Sequence, residues 1–211
     1  DVYNIRRTIS KAVPSGSNHQ TLVQKGADWA IRLEPSGSGT DNYGYVSFAI
    51  TGSSSTMAVS SSALPIFDNE FYSVMLSRVS ASGQNLEDDT TTRNINYNLY
   101  VKKYDATRRR IYLQSSASLN INGDSSSALA GINNRFQRDG AVYIGGKSTE
   151  EFGGQLTGSM MEFRYWNTAL SESRFDNHVR APKAYDGNHP SASFENLVLR
   201  YPMNQTINHG T

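Results

Sequence analysis

The chain has 211 residues, no cysteine and a formal net charge of +1. A chain of this length buries the core of one β domain without crosslinks, and the lack of thiols excludes disulfides and cysteine-ligated metal sites. Balanced charge argues against nucleic-acid binding driven by bulk electrostatics, and no apolar run approaches the roughly 18 residues that a membrane-spanning helix needs.

The residue types favour strands joined by polar turns. Ser, Thr, Gly and Asn are abundant, and the 12 tyrosines outnumber the 8 phenylalanines. Tyrosine and threonine suit half-exposed strand surfaces, whereas serine, glycine and asparagine suit turns. Long Glu/Lys/Leu-rich helical windows are missing. The composition therefore predicts a protein with many strands and long polar loops.

Apolar and polar side chains alternate through most of the first 80 residues, which predicts β-strands. In the predicted strand at 43–51, Val46, Phe48 and Ile50 point to one face. In the predicted strand at 71–79, Val74 and Leu76 point inward, and the Gly/Ser-rich run at 34–42 predicts a loop. The predicted strands of this half are 2–9, 20–25, 27–33, 43–51, 56–60 and 71–79.

The same alternation returns after a polar run at 85–94, which we interpret as a loop. A strand at 95–104, a turn at 105–107 and a returning strand at 109–114 predict a β-hairpin. Residues 120–134 have the composition of a loop. Two further strands are predicted at 141–144 and 156–166, and the last one is Leu197–Tyr201.

One short helix is predicted near 171–180. Ser171 is a suitable N-cap, Glu172 complements the positive end of the helix, and Leu170 and Phe175 form a hydrophobic staple. Pro182 prevents the helix from continuing. Roughly nine to eleven short strands with one peripheral helix predict an all-β sandwich or barrel, and helices that do not alternate with strands argue against a parallel α/β fold.

Residues 152–171, FGGQLTGSMMEFRYWNTALS, carry a recognisable pattern: a glycine before a strand, a strand ending in Trp166, and Ala-Leu-Ser opening a short helix. This segment resembles the laminin-G-like and pentraxin-like jelly rolls of the concanavalin A-like lectin/glucanase superfamily. The resemblance implies a two-sheet antiparallel jelly-roll sandwich over 1–203. Residues 204–211 would then be a tail or the start of a following module.

The C-terminal part carries two further resemblances. Residues 197–204, LVLRYPMN, look like the opening strand of domains in this family, so Leu197–Tyr201 either begins a second module or closes this sandwich beside the N-terminal strand. Residues 175–188, FDNHVRAPKAYDGN, are similar to structural proteins of tailed bacteriophages. These resemblances, and a chain that begins at Asp1, imply an excerpt of a longer protein that occurs in many copies beside other virion subunits.

The glucanases of this superfamily carry Glu-x-Asp-x-(x)-Glu on one strand, which supplies two carboxylates about 5 Å apart. The chain lacks this pattern, and we interpret residues 87–89 and 150–151 as solvated loop acids. The four histidines lack metal-ligand spacing, and no Gly-x-Ser-x-Gly motif occurs. The sequence therefore predicts a protein that is not an enzyme.

Two regions offer groups for binding. Asp41, Asn42, Tyr43 and Tyr45 combine aromatic rings with polar side chains, as sugar sites do, although both tyrosines are also explained as the outer face of a strand. The second region is the predicted hairpin tip, where a basic cluster suits an anionic glycan, a phosphate or an acidic subunit. The alternative is edge charge that blocks aggregation. This cluster comprises Lys102, Lys103, Arg108, Arg109 and Arg110.

Calcium is the one cofactor that the family resemblance suggests, because many laminin-G-like domains hold this ion at the rim of the sandwich through oxygen ligands. No fixed motif marks such a site here, and surface solvation is the competing interpretation. The loop side chains that offer oxygens are Asp41, Asn42, Asp88, Asp89, Asp124 and Asp139.

The sequence leads to three functional hypotheses. The first is a non-catalytic structural or adhesive module of a phage capsid or tail, exposed on the virion or outside the cell, that contacts other subunits and host glycans. The second is a carbohydrate-binding lectin domain of a secreted or cell-surface protein. The third is a glycoside hydrolase with displaced acids.

Overall fold

The computed structural model describes residues 2–6, 19–36, 42–80, 94–122, 126–136, 138–147, 152–189 and 196–203. This part of the chain is mostly β-structure, with one α-helix, α1 (Glu172–Arg180), and two short 3₁₀ helices at Ser127–Leu129 and Ile132–Phe136. The strands in chain order are β1 (Val2–Arg6), β2 (Gln20–Lys25), β3 (Trp29–Pro35), β4 (Gly44–Thr51), β5 (Thr56–Ser60), β6 (Tyr72–Ser80), β7 (Asn94–Asp105), β8 (Arg110–Asn122), β9 (Val142–Ile144), β10 (Met161–Trp166) and β11 (Leu197–Tyr201).

The strands form two antiparallel sheets. The six-stranded sheet has the order β11-β10-β1-β6-β7-β8, and the five-stranded sheet has the order β5-β4-β3-β2-β9. The chain passes between the sheets several times, since β2–β5 and β9 lie in one sheet and the remaining strands in the other. The predicted all-β class is therefore confirmed, and the strands of the described residues pair antiparallel.

A single apolar layer lies between the two sheets. Residues of both sheets share one buried cluster, and the rings of Phe48 on β4 and Tyr97 on β7 stack at 5.2 Å. Phe136, from the second 3₁₀ helix, stacks on Trp29 at 4.8 Å and on Tyr97 at 5.8 Å. This short helix thus fills the space between the sheets with an aromatic side chain.

Alternation along the strands produces this layer, as predicted. Val46, Phe48 and Ile50 are buried in β4, and the predicted inward set of β6, Val74 and Leu76, is also buried. In β7 every second residue is buried from the start of the strand. That set is Ile95, Tyr97, Leu99 and Val101.

The helix packs on the outer face of the six-stranded sheet. Phe175 and Val179 are buried there with Met75, Trp166 and Leu170. The predicted cap is confirmed, because the Ser171 hydroxyl accepts a hydrogen bond from Arg174 N at 3.2 Å. Among the helices of the described residues, none is both long and apolar enough to cross a membrane.

Two predicted elements differ from the structure. The strand predicted at 156–166 begins only at Met161, and the strand predicted to end at 114 continues to Asn122. Residues 120–122 look like a loop because asparagines alternate with Ile121. In the structure Ile121 faces the core while Asn120 pairs with Asn96 on the solvent side. Long-range pairing with β7 therefore overrides the local turn preference of asparagine.

Glu162 forms a bulge in β10 and anchors two arginines. Its φ is 58°, and the β1–β10 register shifts at this position. Arg164 Nη2 donates to the carboxylate at 2.8 Å, and Arg200 on β11 donates to both oxygens. Burial would raise the pKa of Glu162, but these hydrogen bonds outweigh burial and lower the pKa. The network holds β11 as the edge strand beside β10.

β11 belongs to this sheet, since it pairs antiparallel with β10 over Leu197–Tyr201. The prediction that this strand lies beside the N-terminal strand is wrong, because β10 separates β11 from β1. Residues 204–211 lie outside the described residues, as do positions 7–9 of the first predicted strand and most of the loop predicted at 85–94.

His178 gives the fold a pH-dependent component of stability. The ring is buried, stacks on Trp166 at 5.9 Å and contacts Asp186 O through Nε2 at 2.9 Å. Burial is the main cause that lowers the pKa of His178 to about 4, and the positive charge of Arg164 is the second. An unfolded histidine has a pKa of about 6.5, so the unfolded state binds a proton at a pH where the folded state does not.

We therefore expect stability to fall as the pH is lowered from about 6.5 to about 4, with a loss of about 3 kcal/mol from this residue. Urea unfolding at a series of pH values measures the slope. His178→Gln should flatten the slope in this window, whereas His189→Gln, at an exposed position, should leave the slope unchanged. An equal slope in both variants would contradict the assignment.

Candidate binding surface

Three chain segments meet at one end of the two sheets. The segment that precedes β4 contacts residues 64–67, since Phe67 N donates to Asn42 O at 3.0 Å. The next residue, Asp68, binds the ammonium group of Lys103 on β7. The 64–72 segment therefore connects the predicted sugar-binding region at 41–45 with the β7–β8 hairpin.

Gly44 permits the first of these contacts. It exchanges backbone hydrogen bonds with Leu64 at 2.9 and 2.8 Å. A Cβ atom at this position would lie 2.6 Å from the Phe67 ring and would also collide with Glu34 O. Only glycine therefore allows the 64–67 segment to lie so close to the start of β4.

Asp68 is the polar centre of the 64–72 segment. Its Oδ2 accepts hydrogen bonds from Lys103 Nζ and, at 3.0 Å, from the Tyr72 hydroxyl, which lies 2.8 Å from Pro65 O. Burial is the main cause that raises the pKa of Tyr72, and the negative charge of Asp68 is the second, so the phenol stays protonated. Burial would lower the pKa of Lys103, but the hydrogen bond to Asp68 helps to outweigh burial and raises the pKa.

The β7–β8 turn is held by Asp105. Its Oδ1 accepts from Thr107 N at 2.9 Å and from Arg108 N at 3.0 Å, and its Oδ2 lies 3.3 Å from Arg108 Nη1. The backbone hydrogen bond from Arg108 is the main reason why the pKa of Asp105 is lowered. Arg109 has a φ of 52°, and the side chains of Arg108, Arg109 and Arg110 are all exposed. The turn thus presents three arginines from an ordered backbone.

The structure separates Lys102 and Lys103 from this basic tip, contrary to the predicted five-residue cluster. Both side chains are buried, and successive residues of a strand point to opposite faces. Lys102 binds Glu172 and Asp176 on α1, while Lys103 binds Asp68. Their charge is therefore neutralised inside the fold, and the arginines alone form the exposed cluster.

Three exposed aromatic side chains lie at the same end of the molecule as the arginines. Tyr43 is 50% exposed, Tyr112 is 41% exposed and Phe71 is 37% exposed. The Tyr112 ring also lies 5.5 Å from Lys103 Nζ. We call this set the aromatic–arginine surface, and its members are Tyr43, Phe71, Tyr112, Arg108, Arg109 and Arg110.

Of the residues predicted from the first region, the structure places Tyr43 on this surface and the exposed Asn42 next to it in the chain. Tyr45 is half-buried on the outer face of the five-stranded sheet, opposite Glu34, and Asp41 lies outside the described residues. Sequence reasoning missed Phe71 and Tyr112. No alternation marks them, because Phe71 precedes β6, whose residues 72–78 are all buried, and Tyr112 lies at a register shift between β7 and β8.

The residues proposed for calcium do not form a site in the described part of the chain. Asp41, Asp88, Asp89 and Asp124 fall outside that part. Asp139 lies near Lys25, whereas Asn42 contacts Phe67. Within the described ranges, no group of three or more His, Asp or Glu side chains is arranged to hold a metal ion.

One close pair of carboxylates occurs where α1 meets β7. Glu172 Oε1 and Asp176 Oδ1 each lie 2.6 Å from Lys102 Nζ, so the two oxygens are within about 5 Å of each other. Burial would lower the pKa of Lys102, but the hydrogen bonds to Asp176 and Glu172 outweigh burial and raise the pKa. The lysine thus places a positive charge between the two acids. The acids predicted as solvated at 87–89 and 150–151 lie outside the described residues.

Comparison with protein-family models and with curated proteins finds no match for this chain. The concanavalin A-like family and the phage setting therefore stay predictions from the residues quoted above.

Asp68 offers a direct test of how the aromatic–arginine surface is supported. Asp68→Ala removes the partner of a buried ammonium group and of the Tyr72 hydroxyl, so we expect a loss of about 3 kcal/mol in the free energy of unfolding. Chemical denaturation measures this loss. Glu70→Ala, at an exposed position two residues away, should change stability by less than about 0.5 kcal/mol. Equal effects of the two substitutions would refute the supporting role.

Proposed function

We propose that the protein is a non-catalytic structural and adhesive module of a virion, built on a concanavalin A-like jelly-roll sandwich. In this proposal the aromatic–arginine surface makes the contact with its target. The target carries negative charge, as on an acidic host polysaccharide or a neighbouring subunit.

The topology supports the jelly-roll assignment. The chain starts in the six-stranded sheet, places four strands in the other sheet, and returns for the β6–β7–β8 meander before crossing again through β9. Repeated crossing between two antiparallel sheets is the connectivity of Greek-key and jelly-roll folds. The segment that resembles laminin-G-like domains forms β10 and the N-terminus of α1, where that family is expected to have them.

The observation that carries the binding proposal is the combination of exposed rings and arginines on an ordered backbone. Guanidinium groups form paired hydrogen bonds with carboxylate or phosphate, and aromatic faces give rigid apolar contact area at little entropic cost. Asp105 orders the turn, and Asp68 holds the neighbouring segment. A surface that is ordered before binding loses less entropy when it meets its target.

The carboxylates support a non-catalytic function. Every described acid that is not exposed makes an ion pair with lysine or arginine. The close pair formed by Glu172 and Asp176 surrounds Lys102, whereas glycoside hydrolysis needs one acid to protonate the leaving group and the other to act as base or nucleophile.

Binding to an array of purified acidic and neutral bacterial polysaccharides tests the proposal. We expect retention on acidic polymers that weakens with added salt, because arginine–anion contacts are screened. Arg108→Ala combined with Arg110→Ala should reduce affinity at least about tenfold, the effect of losing roughly 1.4 kcal/mol. Tyr43→Ala should reduce affinity by a similar factor.

Two matched substitutions control this experiment. Arg138→Ala removes an arginine that, like Arg108, is exposed and contacts one aspartate. Tyr201→Ala removes a tyrosine that is 49% exposed but lies on β11. Neither control should change the affinity. Binding to neutral polymers that depends on Tyr43 but not on the arginines would instead favour the lectin hypothesis.

A separate experiment tests whether the protein is part of a virion. Peptide mass spectrometry on phage particles purified from a lysate that contains this protein should detect the chain in many copies per particle. Detection only as free protein in the supernatant would contradict the proposed setting without affecting the binding result.

A further inference from the structure

A polar cavity opens between β7, β8 and the first turn of α1. Its volume is about 180 Å³, and it is lined by Lys102, Gln114, Ser115, Ser116 and Glu172. It lies on the outer face of the six-stranded sheet and shares no residue with the aromatic–arginine surface. All five lining residues are polar, so the cavity is not a gap in the apolar core.

The lining residues favour an uncharged, hydroxyl-rich ligand. Glu172 and its neighbour Asp176 repel anions, while the Lys102 ammonium repels metal ions and other cations. An apolar ligand would bury these groups without hydrogen bonds. A sugar hydroxyl both donates and accepts, so it can bond to the carboxylate, the ammonium, the Gln114 amide and the Ser116 hydroxyl alike. The Ser115 hydroxyl faces the other side of the sheet, where it accepts a hydrogen bond from Ser62 N at 2.8 Å.

The size of the cavity limits the ligand to a single small ring. A volume of about 180 Å³ is below the roughly 300 Å³ at which pockets for drug-sized ligands begin. Tyr100 stands beside Ser116 in the β7–β8 ladder, but its ring packs against Phe175 and does not line the cavity. A pyranose, a small ring with hydroxyl groups around its edge, suits a cavity lined by polar groups alone.

Polar side chains continue from the cavity along the solvent face of β7 and β8. The Ser118 hydroxyl donates to Asn98 Oδ1 at 2.8 Å, and Asn120 Nδ2 donates to Asn96 Oδ1 at 2.5 Å. These cross-strand hydrogen bonds fix the orientation of the side-chain amides. The donors and acceptors that the bonds do not use face solvent. We call this row the asparagine strip, and it consists of Asn96, Asn98, Ser118 and Asn120.

We infer that the cavity binds one pyranose unit of a neutral polysaccharide and that the asparagine strip holds the adjoining units. This site is separate from the aromatic–arginine surface in position and in ligand chemistry. It takes a neutral polyol, whereas the aromatic–arginine surface takes an anion. The inference therefore does not depend on the proposed function, and either can fail alone.

Titration followed by ¹H–¹⁵N NMR tests the inference, with D-glucose and cellohexaose as probes. We expect saturable shifts of the backbone amides of 114–116 and 172 with both sugars. Cellohexaose should also shift the amides of the asparagine strip, and it should bind at least about tenfold more tightly because it occupies more of the surface. Sodium sulfate should leave these amides unchanged.

Ser116→Phe places a ring in the cavity at an exposed strand position and leaves the Lys102 ion pairs in place. It should weaken the binding of both sugars at least tenfold. Ser60→Phe makes the same change at an exposed position on β5 and should have no effect on binding. Thermal unfolding of both variants shows whether the fold is retained, and retention of acidic polymers shows whether the aromatic–arginine surface is intact.

Two outcomes would overturn the inference. One is the absence of saturable shifts at 114–116 with either sugar at concentrations on the order of 10 mM, well above a Kd of about 1 mM. The other is sugar binding that Ser116→Phe, in its folded form, leaves unchanged. In the first case, Lys102 and its two carboxylates would serve only to hold α1 on the sheet.

Discussion

The apolar layer between the two sheets is the constraint on which the rest of the molecule depends. Phe48 from one sheet meets Tyr97 from the other, and Phe136 inserts beside them from a 3₁₀ helix. Burial of this layer supplies the main stabilisation, because no crosslink contributes. It also fixes which side of each strand faces solvent, since the side-chain period along a strand is two. The positions of both proposed binding surfaces depend on which side of each strand faces solvent.

Two consecutive lysines on β7 hold the chain segments that lie beside the two proposed binding surfaces. Lys102 points outward and binds two acids of α1, whereas Lys103 points the other way and binds Asp68. Each ammonium group is buried and would be costly without its partners. One pair of residues therefore orders the helix beside the polar cavity and the segment beside the aromatic–arginine surface.

The two surfaces differ in chemistry and can act together. The aromatic–arginine surface at the end of the sheets suits an anionic target, while the cavity and the asparagine strip suit a neutral sugar chain. A module that carries both would bind a polysaccharide with mixed neutral and acidic units through two contacts, and linked contacts raise the apparent affinity well above that of either one. Such two-point contact is what the proposed adhesive function needs.

The sequence by itself determined the all-β class, most strand positions and the cap of α1, because alternation and capping are local patterns. It indicated the exposed arginines but assigned Lys102 and Lys103 to the same cluster, since a linear pattern does not show which acids lie opposite each strand face. The tertiary structure alone decided those pairings. It also extended β8 through an asparagine-rich run and brought Tyr43 and Arg108 to one end, because contacts between residues distant in sequence outweigh local preference.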